Sequence, residues 1–133
     1  MTPHSILIVD DEANQRLMLE QALRALAFGW TIATAASGQE ALDSLALHQP
    51  DLIITDYHMP LMHGLELIAK VREQHIPSRI ILITAYSSPE LYDAAQKLQV
   101  DHYLTKPVPL TLLRSIATNT LDTAPAPLAR NKC

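Results

Sequence analysis

Three aspartates, one threonine and one lysine each follow directly on an apolar run, and these five side chains set the chemistry open to the chain. Ile6-Leu7-Ile8-Val9 runs into Asp10-Asp11-Glu12, Leu52-Ile53-Ile54-Thr55 into Asp56, Ile80-Ile81-Leu82-Ile83 into Thr84, and His102-Tyr103-Leu104-Thr105 into Lys106. Taken singly, each has an ordinary explanation. An Asp after a strand commonly caps the next helix, a threonine at a strand end is usually structural, and a lysine is usually a solvated surface charge. Taken together they suggest a site, because ligands of open parallel sheets bind beyond the carboxyl ends of the strands. Three carboxylates facing one ammonium leave a deficit of two positive charges, which a divalent cation would neutralise. Hard oxygen donors, with neither Cys nor His suitably placed, favour Mg²⁺ or Mn²⁺ over zinc. A pocket balanced in this way can accept a phosphoryl group. Asp56 would attack phosphorus to form an acyl phosphate, while the metal and Lys106 hold the equatorial oxygens and Thr84 donates a hydrogen bond.

The elements that must position these residues are legible from periodicity. Apolar runs of strand length occur at 5–9, 30–35, 51–55, 80–84 and 101–105, and most are solid rather than alternating. Solid runs mark strands covered on both faces. Between them lie helical stripes: Leu19, Leu23 and Leu26; Ala41, Leu42 and Leu45; Leu65, Ile68 and Val71. Ser37-Gly38-Gln39-Glu40 reads as a capping box, and Ser88-Pro89 opens a fourth helix with proline at its favoured first position. Gly29 is placed to stop the first helix, and Pro50 precedes the third strand. A βαβ series with right-handed crossovers gives a five-stranded, mainly parallel sheet with helices on both faces.

Composition narrows the function classes. At 133 residues and 48% hydrophobic content the chain is the size of one domain with a real core. Net charge is −4 and no basic stripe with interleaved aromatics occurs, which argues against nucleic acid as a partner of this segment. Cys133 is the only cysteine, so no disulfide within one chain can form and a reducing compartment is expected. No aliphatic run approaches the roughly 18 to 20 residues of a membrane span, and the first residues lack the basic start of a signal peptide. The expectation is a cytoplasmic protein with no membrane partner. After Leu121 the sequence turns to Asp122-Thr-Ala-Pro-Ala-Pro, which reads as a flexible tail or the start of a linker.

The ordered set ILIVDDE, LIITDYHMP followed by Gly64, IILITA and DHYLTKPV resembles the receiver domain of two-component response regulators, the CheY-like family. The resemblance covers about residues 5 to 121, dividing the chain into a receiver domain over 1–121 and a tail over 122–133. It implies a flavodoxin-like, doubly wound parallel sheet in the order 2-1-3-4-5 with five helices. It also implies that Asp56 is the phosphoacceptor, that Asp11, Asp56 and the backbone carbonyl of His58 ligate Mg²⁺, and that Asp10 helps through a bound water. Thr84 and Lys106 become the phosphoryl contacts, and a cis peptide joins Lys106 to Pro107. Function in this family is switching rather than turnover: Thr84 moves toward the phosphoryl group, Tyr103 rotates inward, and the face of the fourth helix, fifth strand and fifth helix changes. The partners so implied are a sensor histidine kinase or phosphotransfer protein, an output domain or effector on that face, and a homodimer formed on phosphorylation.

Some positions depart from the commonest pattern of such domains. Tyr57 follows the acceptor where an aliphatic is usual, and His58 and Tyr86 stand two places after Asp56 and Thr84, where they are expected to rim the phosphoryl site and tune water access. Gln99 occupies a place where glycine commonly ends the fourth helix, so a left-handed conformation there would cost on the order of 1 kcal/mol and loosen that helix end. Two rival functions share parts of this chemistry. An Asp-nucleophile, Mg²⁺-dependent phosphatase would want a second acid where His58 stands. A flavodoxin-like cofactor module would want a Gly-, Ser- or Thr-rich phosphate loop in place of Asp10-Asp11-Glu12.

Overall fold

The solid apolar runs become five strands and the segments between them five helices in the computed structural model, which describes residues 4–26 and 28–122. The strands are β1 (Ser5–Val9), β2 (Thr31–Ala35), β3 (Leu52–Asp56), β4 (Arg79–Thr84) and β5 (His102–Thr105). The helices are α1 (Ala13–Arg24), α2 (Gly38–Leu47), α3 (Gly64–Glu73), α4 (Pro89–Lys97) and α5 (Leu110–Asp122). The sheet order is β2-β1-β3-β4-β5 and every pairing is parallel, as expected. Residues 123–133, with Cys133 and nearly all of the expected tail, lie outside the described residues.

Solid hydrophobicity in the strands is explained by two cores, one on each face of the sheet. Ile6, Ile8, Leu52, Ile54, Ile81 and Ile83 pack with Leu23 of α1 and with Leu113, Ala117 and Leu121 of α5. Their alternate neighbours Leu7, Val9, Ile53, Ile80 and Leu82 pack with α2, α3 and Ala95 of α4. Side chains of a strand point alternately to opposite faces, so a strand buried on both must be apolar throughout.

Helix starts follow local chemistry, with some differences from expectation. Ser88 caps α4 through Leu91 N–H, with Pro89 in the first turn. Ser37 caps α2 through the Glu40 amide, but the Glu40 carboxylate accepts from Ala36 rather than from the cap residue itself. The reciprocal capping box belongs to α3 instead. There His63 Nδ1 accepts from Glu66 N–H, and the Glu66 carboxylate accepts from His63 N–H. α1 is capped by Glu12, not by either aspartate, and it ends at Arg24 rather than at Gly29. Gly29 takes φ +71° just ahead of β2, serving strand entry rather than the helix stop. In α3 the fully buried apolar residues are Leu67, Ile68 and Val71, and Leu65 is only partly covered.

Gln99 does adopt the left-handed conformation, with φ 62°. The segment has a tether that the sequence pattern did not suggest. Arg72 of α3 donates to the carbonyls of Leu98 and Gln99, and also to those of Ile76 and Ser78, at 2.9 to 3.0 Å. One guanidinium thereby joins the end of α4 to the turn leading into β4. Burial lowers its pKa below the ordinary value, opposed by the charge of Asp101.

Candidate functional site

Strand register brings the polar strand ends level. Val9 pairs with Thr55, Asp56 with Ile83, and Thr84 with Thr105, so Asp10, Asp56, Thr84 and Lys106 emerge along one edge of the sheet. The chain is bent sharply after β1, where Asp10 Oδ1 accepts from Glu12 N–H at 2.9 Å and Arg16 donates to the Asp10 carbonyl at 2.7 Å. After β3, Gly64 N–H reaches back to the Tyr57 carbonyl at 2.9 Å. A Cβ at Gly64 would lie 2.6 Å from the Asp56 carbonyl oxygen, so only glycine lets α3 start this close to β3.

Asp10, Asp11 and Asp56 each offer a carboxylate oxygen, and these atoms lie within 4.8 Å of one another. Asp10 and Asp56 are 3% and 6% exposed, whereas Asp11 faces solvent. Burial raises the Asp10 pKa above its ordinary value. The Glu12 amide and Lys106 oppose the shift, while the charges of Asp56 and Asp11 add to it. Asp56 Oδ2 accepts from the His58 amide at 3.1 Å. Lys106 Nζ lies 2.7 Å from Asp56 Oδ1 and also donates to Gln15 Oε1 at 2.9 Å. The close ion pair is off the hydrogen-bonding direction, and the buried Oδ1 has no aligned donor. A cluster of hard anionic oxygens, one of them buried and met only by the Lys106 ammonium, fits a divalent cation.

The remaining expected residues lie on β4 and β5 and in the loops that follow β3 and β4. Thr84 is fully buried and its hydroxyl is engaged with the backbone N–H and carbonyl of Tyr86, each at 3.2 Å. Tyr103 is half-buried, with its hydroxyl 2.8 Å from that of Ser87 and its ring edge-on to Tyr92. His58 and Tyr86 meet edge to face at 5.6 Å, and the Tyr57 ring joins His58 to His63. With Nδ1 capping α3, His63 serves the helix rather than a metal set. The Lys106–Pro107 bond is cis. Two contributors were missed in the sequence, Gln15 and Arg16. Their signal was position alone: both lie in the first turn and a half after the acid-tipped strand, where a helix start faces the strand ends.

A family model described as the response regulator receiver domain matches residues 6–118. The chain belongs to the receiver domain family. Receivers are regulators in two-component signal transduction rather than catalytic enzymes, and membership implies a histidine kinase as partner. The receiver is 36% identical over 100 residues to the DNA-binding transcriptional regulator NtrC of Klebsiella pneumoniae, a match covering 75% of this chain and 21% of that protein. It is 39% identical over 116 residues to a 14.6 kDa protein of Leptolyngbya boryana, covering 84% of this chain and 86% of that one. Among solved structures, the chemotaxis protein CheY4 of Vibrio cholerae superposes with a TM-score of 0.82 at 30% identity, covering 90% of this chain and 99% of that one. The receiver spans 21% of NtrC and 54% of the regulatory protein TcrX of Mycobacterium tuberculosis, so it corresponds to one part of longer proteins. Among the described residues no helix is long and apolar enough to cross a membrane.

Proposed function

We propose that the chain is the phosphoacceptor switch of a two-component system, with Asp56 receiving the phosphoryl group from a sensor histidine kinase or phosphotransfer protein. The observation that carries this reading is the convergence of Asp10, Asp11 and Asp56 within 4.8 Å, with the Lys106 ammonium 2.7 Å from Asp56. Mg²⁺, or Mn²⁺ in its place, would be held by Asp11, Asp56 and the backbone carbonyl of His58, with Asp10 acting through water. When bound, it supplies the positive charge that the carboxylates lack and offsets charge on the phosphoryl oxygens.

Asp56 forms the new P–O bond as the bond to the donor breaks, and Lys106 follows the charge from the carboxylate to a phosphoryl oxygen. Thr84 must exchange its bonds to the Tyr86 backbone for one to the phosphoryl group, which draws the loop after β4 inward. Ser87 lies on that loop and holds the Tyr103 hydroxyl at 2.8 Å, so movement of the loop releases or carries Tyr103 and changes the α4-β5-α5 face. The new dianion acts by biasing two packings that already exchange, through its different contacts with each. An output domain, an effector or a second receiver that prefers the active packing stabilises it in return. Residues 1–121 form this switch.

The test is incubation with acetyl phosphate and MgCl₂, followed by intact mass measurement. One phosphoryl group is expected on wild type and none on Asp56→Asn or after chelation of the metal. Labelling that persists in Asp56→Asn, or steady hydrolysis of a phosphate ester without a stable adduct, overturns the reading.

A further inference from the structure

Beside the acidic cluster lies a cleft of about 530 Å³ whose two parts differ in chemistry. Asp10, Asp56 and Lys106 form a charged part, while Met18 and Leu19 of α1, Ile83 of β4, and Pro107, Val108 and Leu110 form an apolar part. Ile83 is the register partner of Asp56 and is buried among the residues between the sheet and α1/α5. The apolar part therefore begins directly beside the acceptor carboxylate. Met18, an unbranched apolar side chain that lines the cleft, is 53% exposed.

We infer that this cleft takes the acyl chain of an aliphatic acyl phosphate, so that the receiver uses small phosphodonors with longer apolar leaving groups in preference to acetyl phosphate. The inference rests on the phosphoacceptor reading of Asp56 and extends it to the donor. Charge complementarity fixes the orientation: the phosphoryl dianion belongs with Lys106 and the cation, and the acyl chain is left against the apolar walls. The reaction balances without an additional reagent. An Asp56 oxygen bonds to phosphorus, the bond from phosphorus to the acyl oxygen breaks, and its electron pair leaves with the carboxylate product. Acetate and butyrate are leaving groups of nearly equal basicity, so a rate difference between their phosphates reports on the cleft rather than on intrinsic reactivity.

Each fully buried methylene is worth about a fourfold change in affinity, and butyryl carries two more than acetyl. Because the cleft is open on one side, about half of that burial is realised, giving a specificity constant about fourfold higher for butyryl phosphate, with a ceiling of about 15-fold.

The experiment measures phosphorylation of the full chain by intact mass with acetyl and butyryl phosphate in MgCl₂, on wild type, Met18→Gln and Val108→Phe. Expected is a butyryl-to-acetyl ratio near four in wild type that falls to about one when the cleft is made polar or filled. A second readout is the Met18 methyl resonance, which should shift on titration with butylphosphonate and not with methylphosphonate. Equal constants for the two donors in wild type overturn the proposal and leave the cleft to be covered by a protein donor, with Asp56 still the acceptor. A preference that survives both variants also overturns it. Absence of any adduct from either donor overturns the acceptor reading along with it.

Discussion

Replacing Asp10 by Asn should stabilise the metal-free protein, and the size of the effect can be worked from the cluster. Asp10 is 3% exposed and shares a 4.8 Å sphere of carboxylate oxygens with Asp56 and Asp11. Two unit charges at that separation repel by about 3.5 kcal/mol at an effective dielectric of about 20. Lys106, 2.7 Å from Asp56, cancels part of this, and Asp11 is exposed and screened. About 1–2 kcal/mol of net repulsion remains on Asp10 after those discounts. Asparagine keeps an Oδ1 for the Glu12 amide, so the bend after β1 survives. Metal-free Asp10→Asn should therefore gain about 1–2 kcal/mol at pH 7, a rise in Tm of about 3–8 °C for a chain of this size. Mg²⁺ should reverse the order, because wild type gains more from a ligand that binds only the folded state.

The same charge predicts a pH signature. Burial raises the folded-state pKa of Asp10 above its ordinary 3.8, so the folded protein holds this proton more tightly than the unfolded chain does. Stability contributed by this group therefore falls as pH rises from 3.8 through the raised value, and the penalty is complete above it. Asp10→Asn lacks that fall, so the gap between variant and wild type should close as pH is lowered toward 4. Urea denaturation followed by circular dichroism, in EDTA and in MgCl₂ across this range, makes the comparison. A variant no more stable than wild type in EDTA at pH 7, or a gap indifferent to pH and metal, would refute the electrostatic reasoning.

Other substitutions probe the scaffold and the rim. Gly64→Ala drives a Cβ onto the Asp56 carbonyl oxygen at 2.6 Å and Tyr57 Cα at 3.0 Å, both backbone, and should cost about 1–3 kcal/mol while slowing phosphorylation. Gly38→Ala meets only the Met62 side chain and should cost less, so equal urea midpoints would contradict the contact argument. Arg72→Met strips the carbonyls of Ile76, Ser78, Leu98 and Gln99 of their donor and should lower stability by about 2–4 kcal/mol. Arg72→Lys should recover only part of it, since a point charge cannot span four acceptors; an unchanged midpoint in Arg72→Met would rule the clamp out. Joint replacement of His58 and Tyr86 by alanine opens the rim and should shorten the life of the acyl phosphate several-fold, measured as loss of the adduct after donor removal. Unchanged decay would mean that water reaches the phosphoryl group by another route.

What was legible in the sequence and what was not divides along a physical line. The parallel sheet and the acid-tipped strands could be read because burial on both faces forces unbroken apolar runs, and parallel strands that start level end level, carrying Asp10, Asp56, Thr84 and Lys106 to one edge; the strand order came from the resemblance alone. Features resting on one side chain answering a distant backbone could not be read. Arg72 binds carbonyls 26 and 27 residues away, and Gln15 meets Lys106 across 91 residues. Neither leaves a local pattern. The caps at Ser37 and Ser88 were legible, but two others were not, for a related reason. His63 and Glu12 cap with an imidazole and a long carboxylate, whereas short oxygen side chains are the usual signal. The assignment of Glu12 to the cap matters for the site. A helix start satisfied by Glu12 leaves the Asp10 and Asp11 side chains free of that duty, so two adjacent carboxylates can face Asp56. Their mutual repulsion is a standing cost in the folded protein, and it is also what would give a divalent ion its purchase on the fold.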